Sequence, residues 1–185
     1  MDRWELRSDR LRLRRWRAHD REPFAALNAD PIVMEFFPTT LSRDESDTFV
    51  DRIEEHFDHH GFGLWAVELR SSSEFVGYVG LWSTNFEAHF TPAIEVGWRL
   101  ARNSWGAGLA TEAARAALAD GFDRIGIEEI VSFTAAINLS SRRVMEKLGM
   151  THDPSEDFEH PSLPAGHVLR PHVLYRLPAA RYEHT

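Results

Sequence analysis

With 185 residues, 43% hydrophobic content and a formal net charge of −8, the chain reads as a single domain, 1–185, large enough to bury a core. Its acidic balance argues against nucleic acid as a main partner, and zero cysteines exclude disulfides, thiolate metal sites and cysteine nucleophiles. No apolar run reaches membrane-spanning length and the opening Met1-Asp2-Arg3-Trp4-Glu5 has no apolar signal core, so the expectation is a cytoplasmic protein with no membrane partner.

Residues 11–16 alternate apolar and basic side chains as a half-exposed strand does. Their arginines, within the arginine-rich stretch from Arg3 to Arg21, are expected on the solvated face of an edge strand. Asp20 is placed to cap a short helix holding Phe24 and Leu27. Ser42-Arg43-Asp44-Glu45 has capping-box spacing, Phe49, Ile53 and Phe57 follow at four-residue intervals, and Gly61 supplies the stop. His56, His59 and His60 close that helix, where basic groups suit its dipole. Residues 64–69 and 75–82 read as a hairpin joined by Ser71-Ser72-Ser73, with 93–100 as the third strand of a meander.

From 103 to 113 the chain reads Asn-Ser-Trp-Gly-Ala-Gly-Leu-Ala-Thr-Glu-Ala. Gly106 and Gly108, with nothing larger than Ala107 between them, let main-chain N–H groups crowd toward a ligand where an alanine-rich helix begins. The first turn of a helix has unpaired donors and the positive end of the macrodipole, so such a turn suits a pyrophosphate. Leu109, Ala113, Ala116, Ala117 and Phe122 share a face that should pack on a sheet, and Gly126 can end the helix. A strand over 130–134 follows, then a helix over 138–150 with Asn138 or Ser140 near its start and Gly149 at its stop. Residues 167–177 look like a last strand. The order is α+β: a mixed, mostly antiparallel sheet flanked by helices, with one βαβ crossing.

In combination, Glu95-Val96-Gly97-Trp98, the turn Trp105-Gly106-x-Gly108-x-Ala110-Thr111-Glu112-Ala113, Asn138 and the segment 142–150 resemble the GNAT superfamily of N-acetyltransferases. Within it the chain is most similar, over residues 11–177, to the RimJ/RimL branch that acetylates protein N-termini. The resemblance implies a GNAT-like acyl-CoA N-acyltransferase fold with acetyl-CoA as co-substrate. It implies a grip on the pyrophosphate by main-chain N–H groups of the turn, through Asn103, Ser104, Trp105, Gly106, Ala107, Gly108, Leu109, Ala110 and Thr111. The pantetheine arm is expected to lie as an extra strand along the backbone of Trp98 and Leu100, with Asn138 and Arg142 near the cofactor. Two positions depart from the family pattern. Asn103 stands where the turn often has Gln or Arg, leaving Arg102 or the backbone alone to substitute. Met145 stands where many members carry the Tyr that protonates the departing thiolate, and a thioether has no proton to give. Ser141, one turn earlier on the same helix, is the candidate replacement, directly or through water, although serine also suits a first helical turn without any catalytic task.

The implied reaction is direct attack by a neutral amine in a ternary complex, with a main-chain N–H near Trp98 stabilising the oxyanion. An α-amino group near pKa ~8 is mostly protonated at neutral pH, so a base is required. Glu95 is the candidate, because alternation puts it on the side of Gly97, where a missing side chain leaves room; the other reading is a solvent-facing strand carboxylate. Phe36, Phe37, Trp82 and Phe86 are candidates to line the acceptor pocket, or else belong to the core. The segment 157–172, with His160 and His172, could form an ordered loop that receives a cation. Its histidines match no standard ligand spacing, so no metal is expected. The acceptor is an amine-bearing small molecule or a protein N-terminus, either of which an acidic body would attract, and exposed strands are compatible with a homodimer. Two other readings stand beside this one. An NAD(P)-dependent oxidoreductase would use Gly106-x-Gly108 as its fingerprint with Glu128 or Glu129 as the ribose acid, but Thr111 occupies the third glycine's place. A non-catalytic acyl-CoA-binding module would be consistent with Met145.

Overall fold

The computed structural model describes residues 4–182; residues 1–3, including Arg3 of the arginine-rich stretch, and residues 183–185 lie outside them. In chain order the elements are β1 (Leu6–Arg7), β2 (Leu11–Arg14), α1 (Arg21–Ala29), α2 (Arg43–His60), β3 (Leu64–Leu69), β4 (Phe75–Thr84) and β5 (Ala93–Leu100), then α3 (Leu109–Ala119), β6 (Glu129–Ala135), α4 (Leu139–Lys147), β7 (Thr151–His152), β8 (Phe158–Glu159) and β9 (Pro171–Pro178). All the strands join one sheet in the order β1-β2-β3-β4-β5-β6-β9-β7, with β8 paired to β9. Only the β5–β6 pair is parallel, and α3 makes its crossing. The α+β expectation therefore holds. A dinucleotide-type doubly wound parallel sheet does not, because its parallel pairs are antiparallel here.

Local chemistry explains most boundaries. Ser42 and Glu45 exchange the reciprocal bonds of a capping box at the start of α2, and Gly61 ends it at φ +75°. Asn138 caps α4 by accepting from the Ser141 N–H. A wide π turn, Asp120–Ile125, prolongs α3 to Gly126 at φ +80°. Alternation along β5 sorts the faces. Trp98, with Leu81 and Val79 on β4, faces α3 and α4; Glu95 and Arg99, opposite Trp82 and Tyr78, face α1 and α2. The core beneath α1 and α2 includes Phe24, Ile53, Phe57 and Trp65, all fully buried and each worth about 1.5–3 kcal/mol.

Several expectations are corrected. β2 is not an edge strand, since β1 pairs with its outer side. Its Arg14 is not solvated: it is 3% exposed, forked onto both oxygens of Asp20 at 2.7 and 2.8 Å and bonded to Glu68 at 2.7 Å. A guanidinium can be buried once two carboxylates replace its water. Asp20 does not cap α1; its carboxylate serves Arg14 and the Arg17 N–H. His56, in the last turns of α2, serves as a hydrogen-bonding rather than a cationic side chain. It stacks on Trp82 at 4.2 Å, accepts from the Ser83 N–H at Nε2 and so donates from Nδ1 to the Phe62 carbonyl. Burial pushes its pKa down to about 4. The last strand begins at Pro171 rather than 167, because Arg170 closes a turn onto the His167 carbonyl and His167 another onto that of Pro164.

Candidate active site

The glycine turn between β5 and α3 is exposed from Trp105 to Gly108. Gly106 and Gly108 stand at φ +74° and +78°, in the left-handed region where a side chain is strained, and the space a Cβ would occupy at Gly106 is open. On either side, Trp105 N–H bonds to Arg102 and Glu112 N–H to Gly108. Among the described residues, the N–H groups from Gly106 to Thr111 have no such acceptor, so they form a continuous run of free donors at the positive end of α3. Ser104 is buried; the hydroxyl donates weakly to Asn103 at 3.4 Å. Leu109 is buried under the turn, Ala110 half-buried and Thr111 buried in the first helical turn.

From outside, the turn is held by a clamp absent from the sequence reading. Arg10 donates to the Ala107 carbonyl at 3.0 Å and to Glu112 at 2.6 Å, while the other Glu112 oxygen takes the Ser8 hydroxyl and the Arg10 N–H. Glu112 is one of the residues of the turn motif, but its partners lie about a hundred positions earlier, and no local pattern announces them.

Beyond the turn lies a gap in the sheet. The β5–β6 register covers only Ile94↔Ile130 and Glu95↔Val131, after which β5 follows β4 and β6 follows β9. The Val96 carbonyl, pointing toward β6, is taken by the Ser132 hydroxyl at 2.8 Å. Alternate residues of a strand point the same way, so the N–H and C=O of Trp98 face the open gap. Leu100 faces it too, but its carbonyl accepts from the Trp105 indole at 2.8 Å, leaving only its N–H. On the α3/α4 face of the gap, Ser141 Oγ accepts from the Trp98 indole at 3.3 Å and from Asn138 Nδ2 at 3.1 Å. Both lone pairs are then used, and the hydroxyl proton is free to be donated elsewhere. Asn138 has its whole side chain engaged: Oδ1 by Ser141 N–H, Nδ2 by Thr134 and Ser141. It orients Ser141. Arg142 bonds to the Ala136 carbonyl at 3.2 Å and reaches the Tyr175 hydroxyl at 3.5 Å, and Met145 is buried beneath.

On the opposite face, a cavity of about 360 Å³ lies over β4 and β5, with Glu95 and Gly97 in its floor and Phe37, Trp82, Phe86 and His160 in its walls. Glu95 Oε1 lies 3.6 Å from where a Gly97 Cβ would be, as alternation requires, and its Oε2 accepts from Thr84 at 3.3 Å. Partial solvent contact remains, yet desolvation by the surrounding rings raises its pKa to about 8 against a small opposing effect of the Thr84 bond. Phe133, unforeseen from sequence, also lines the cavity. Phe36 points elsewhere, packing against Ala135, Leu163 and Leu169. His172 stands behind His160 at 4.9 Å and burial lowers its pKa to about 4, so both belong to an aromatic cluster with Phe86 and Phe158. Among the described residues no three His, Asp or Glu side chains gather where they could hold a metal ion, and no helix is long and apolar enough to cross a membrane.

Known proteins share the fold that carries this site. Residues 10–151 match the family model described as an acetyltransferase (GNAT) domain. The Bacillus subtilis protein YkkB is 32% identical over 79% of this chain and 84% of its own length. Among solved structures, a GNAT-family acetyltransferase from Bacillus anthracis superposes with a TM-score of 0.78 at 23% identity, covering 95% of this chain and 99% of that one. Mycobacterium smegmatis RimJ in complex with CoA-disulfide also gives 0.78, at 20% identity over 98% of this chain and 88% of its own.

Proposed function

The chain belongs to the acetyltransferase (GNAT) family, and on that premise we propose that it acetylates a primary amine by direct attack in a ternary complex, with Glu95 as base and Ser141 as acid. Membership makes it an acyltransferase, and acetyl-CoA supplies the activated acetyl group. The residues present fit that co-substrate. The free N–H donors from Gly106 to Thr111 suit a diphosphate, and the open space over Gly106 lets it approach the backbone. The unpaired edge of β5 at Trp98 and the Leu100 N–H suits an extended amide-bearing arm, laid along it like a strand.

The observation that carries the reading is the arrangement on β5. Glu95 opens into the aromatic cavity on one face, Trp98 meets Ser141 on the other, and the β5–β6 gap lies between them. An amine in the cavity would meet Glu95, whose pKa of about 8 is close to that of an α-amino group, so proton transfer between them is nearly balanced. The Trp98 N–H is directed at the place where negative charge would develop on the acyl oxygen. The Ser141 hydroxyl, with its lone pairs filled, would have its proton free for the leaving sulfur, the task that buried Met145 cannot perform. Asn138, expected near the cofactor, would act there by positioning Ser141.

The acceptor is a primary amine of a small molecule or a protein N-terminus, and the single continuous sheet supports treating the chain as one domain. A screen of peptides and small amines with acetyl-CoA, following free thiol, tests the reading. Thiol release dependent on amine is expected, and its absence with every primary amine would refute it.

A further inference from the structure

We propose that Arg99 is the anion-binding end of the acceptor site, and that the acceptor is an amine that also carries a carboxylate. The inference rests on the acetyl-transfer reading above and specifies its substrate class.

Arg99 is 8% exposed. Its Nη1 donates to Asn28 Oδ1 at 2.6 Å, and its guanidinium lies 4.0 Å from the Phe37 ring centre and 5.4 Å from that of Tyr78. Its Nε is buried without a hydrogen-bond partner. Among the described residues no carboxylate comes within ion-pair distance of it. Arg14, equally buried, has two. Ring faces offset only part of the cost of burying a lone cation, so Arg99 is a charge in want of an anion.

Its place in the fold shows where that anion would belong. Glu95, Gly97 and Arg99 are alternate residues on one face of β5, so the first and last Cα atoms stand roughly 13 Å apart, with no side chain between them. Arg99 lines a cavity of about 460 Å³ under α2, and Phe49 and Arg52 are walls of both this cavity and the one that holds Glu95. The two spaces therefore adjoin, with the Glu95 carboxylate in one, the Arg99 guanidinium in the other and Arg52 lining both. Asp44 and Glu45 also line this cavity; both are exposed, so water screens their charge, and Glu45 is engaged by the Ser42 N–H at 2.7 Å. A planar carboxylate matches the guanidinium fork.

The test compares 6-aminohexanoate with hexylamine, and peptide amides beginning Gly-Asp with those beginning Gly-Asn, each with acetyl-CoA and the full chain. The first pair reads a free small molecule, the second a protein N-terminus. At least one acidic member should exceed its neutral twin in kcat/KM by about ten- to a hundredfold, mainly through KM. In Arg99→Met, checked for melting temperature and for heat of CoA binding, that ratio should fall to near one. Arg99→Lys, which keeps the charge but loses the fork, should fall between. Equal efficiency within both pairs in the wild type would overturn the inference while leaving acetyl transfer standing. A preference that survives in Arg99→Met would remove Arg99 from the site. No thiol release from any of the amines would refute the acetyl-transfer reading and this inference with it.

Discussion

Replacing Glu95 by Gln removes a titrating group whose ordinary pKa of 4.5 is lifted to about 8 by desolvation. Each tenfold change in an ionisation constant is ~1.4 kcal/mol, so ionising this carboxylate in the native state costs at most about 5 kcal/mol, trimmed by its residual solvent contact. The sign follows from a raised folded-state pKa: the stabilisation is complete below 4.5 and is lost as pH rises through 8. Wild-type melting temperature should therefore fall relative to Glu95→Gln between pH 5 and pH 9, by at most about 10–20 °C. Other groups titrate equally in both proteins and cancel in the difference. Activity should move in the opposite sense. With a weakly basic amine, whose own ionisation lies outside the range, wild-type kcat/KM should rise with pH through about 8 as Glu95 ionises. Glu95→Gln should lose about a hundred- to ten-thousandfold in kcat/KM and show no such limb, with acetyl-CoA binding preserved. Parallel melting curves against pH, or an unchanged rate profile, would show that Glu95 is neither strongly desolvated nor the base.

Ser141→Ala should lower kcat by about tenfold or more while KM for acetyl-CoA stays within about twofold; an unchanged kcat would exclude Ser141 as the acid. Gly106→Ala places a Cβ in open space but at φ +74°, so calorimetry should show weaker CoA binding beside a loss of about 1–2 kcal/mol in denaturant unfolding; undiminished binding would contradict the backbone grip. Asp20→Asn leaves buried Arg14 without its forked partner and should cost about 3–5 kcal/mol in the same unfolding assay, whereas a loss below about 1 kcal/mol would mean that Glu68 suffices. His172, held neutral with a pKa of about 4, contributes stability above pH 6.5 that is lost as pH falls toward 4; His172→Phe should flatten that part of the melting profile, and an unaltered slope would refute its burial.

The sequence by itself determined the features governed by near neighbours. The capping box at Ser42 and Glu45, the left-handed glycines of the turn, the strand alternation that puts Glu95 beside Gly97, and the order of strands and helices around α3 all follow from contacts within a few residues. Tertiary structure alone decided which polar groups are buried and what they meet. Arg14 and Arg99 look alike as arginines on alternating strands, yet one is packed between two carboxylates and the other beneath aromatic rings with none. His56 lies in the last turns of α2, where its sequence position puts it, but burial against Trp82 keeps it a neutral ring. Glu112 finds its clamp at Arg10, about a hundred residues earlier, and Ser141 Oγ accepts from Trp98, forty-three residues earlier. Hydrophobic periodicity and turn chemistry act over one or two turns of backbone, whereas desolvation and ion pairing depend on which distant segments close around a charge, and that is set only when the sheet and its two helical layers come together.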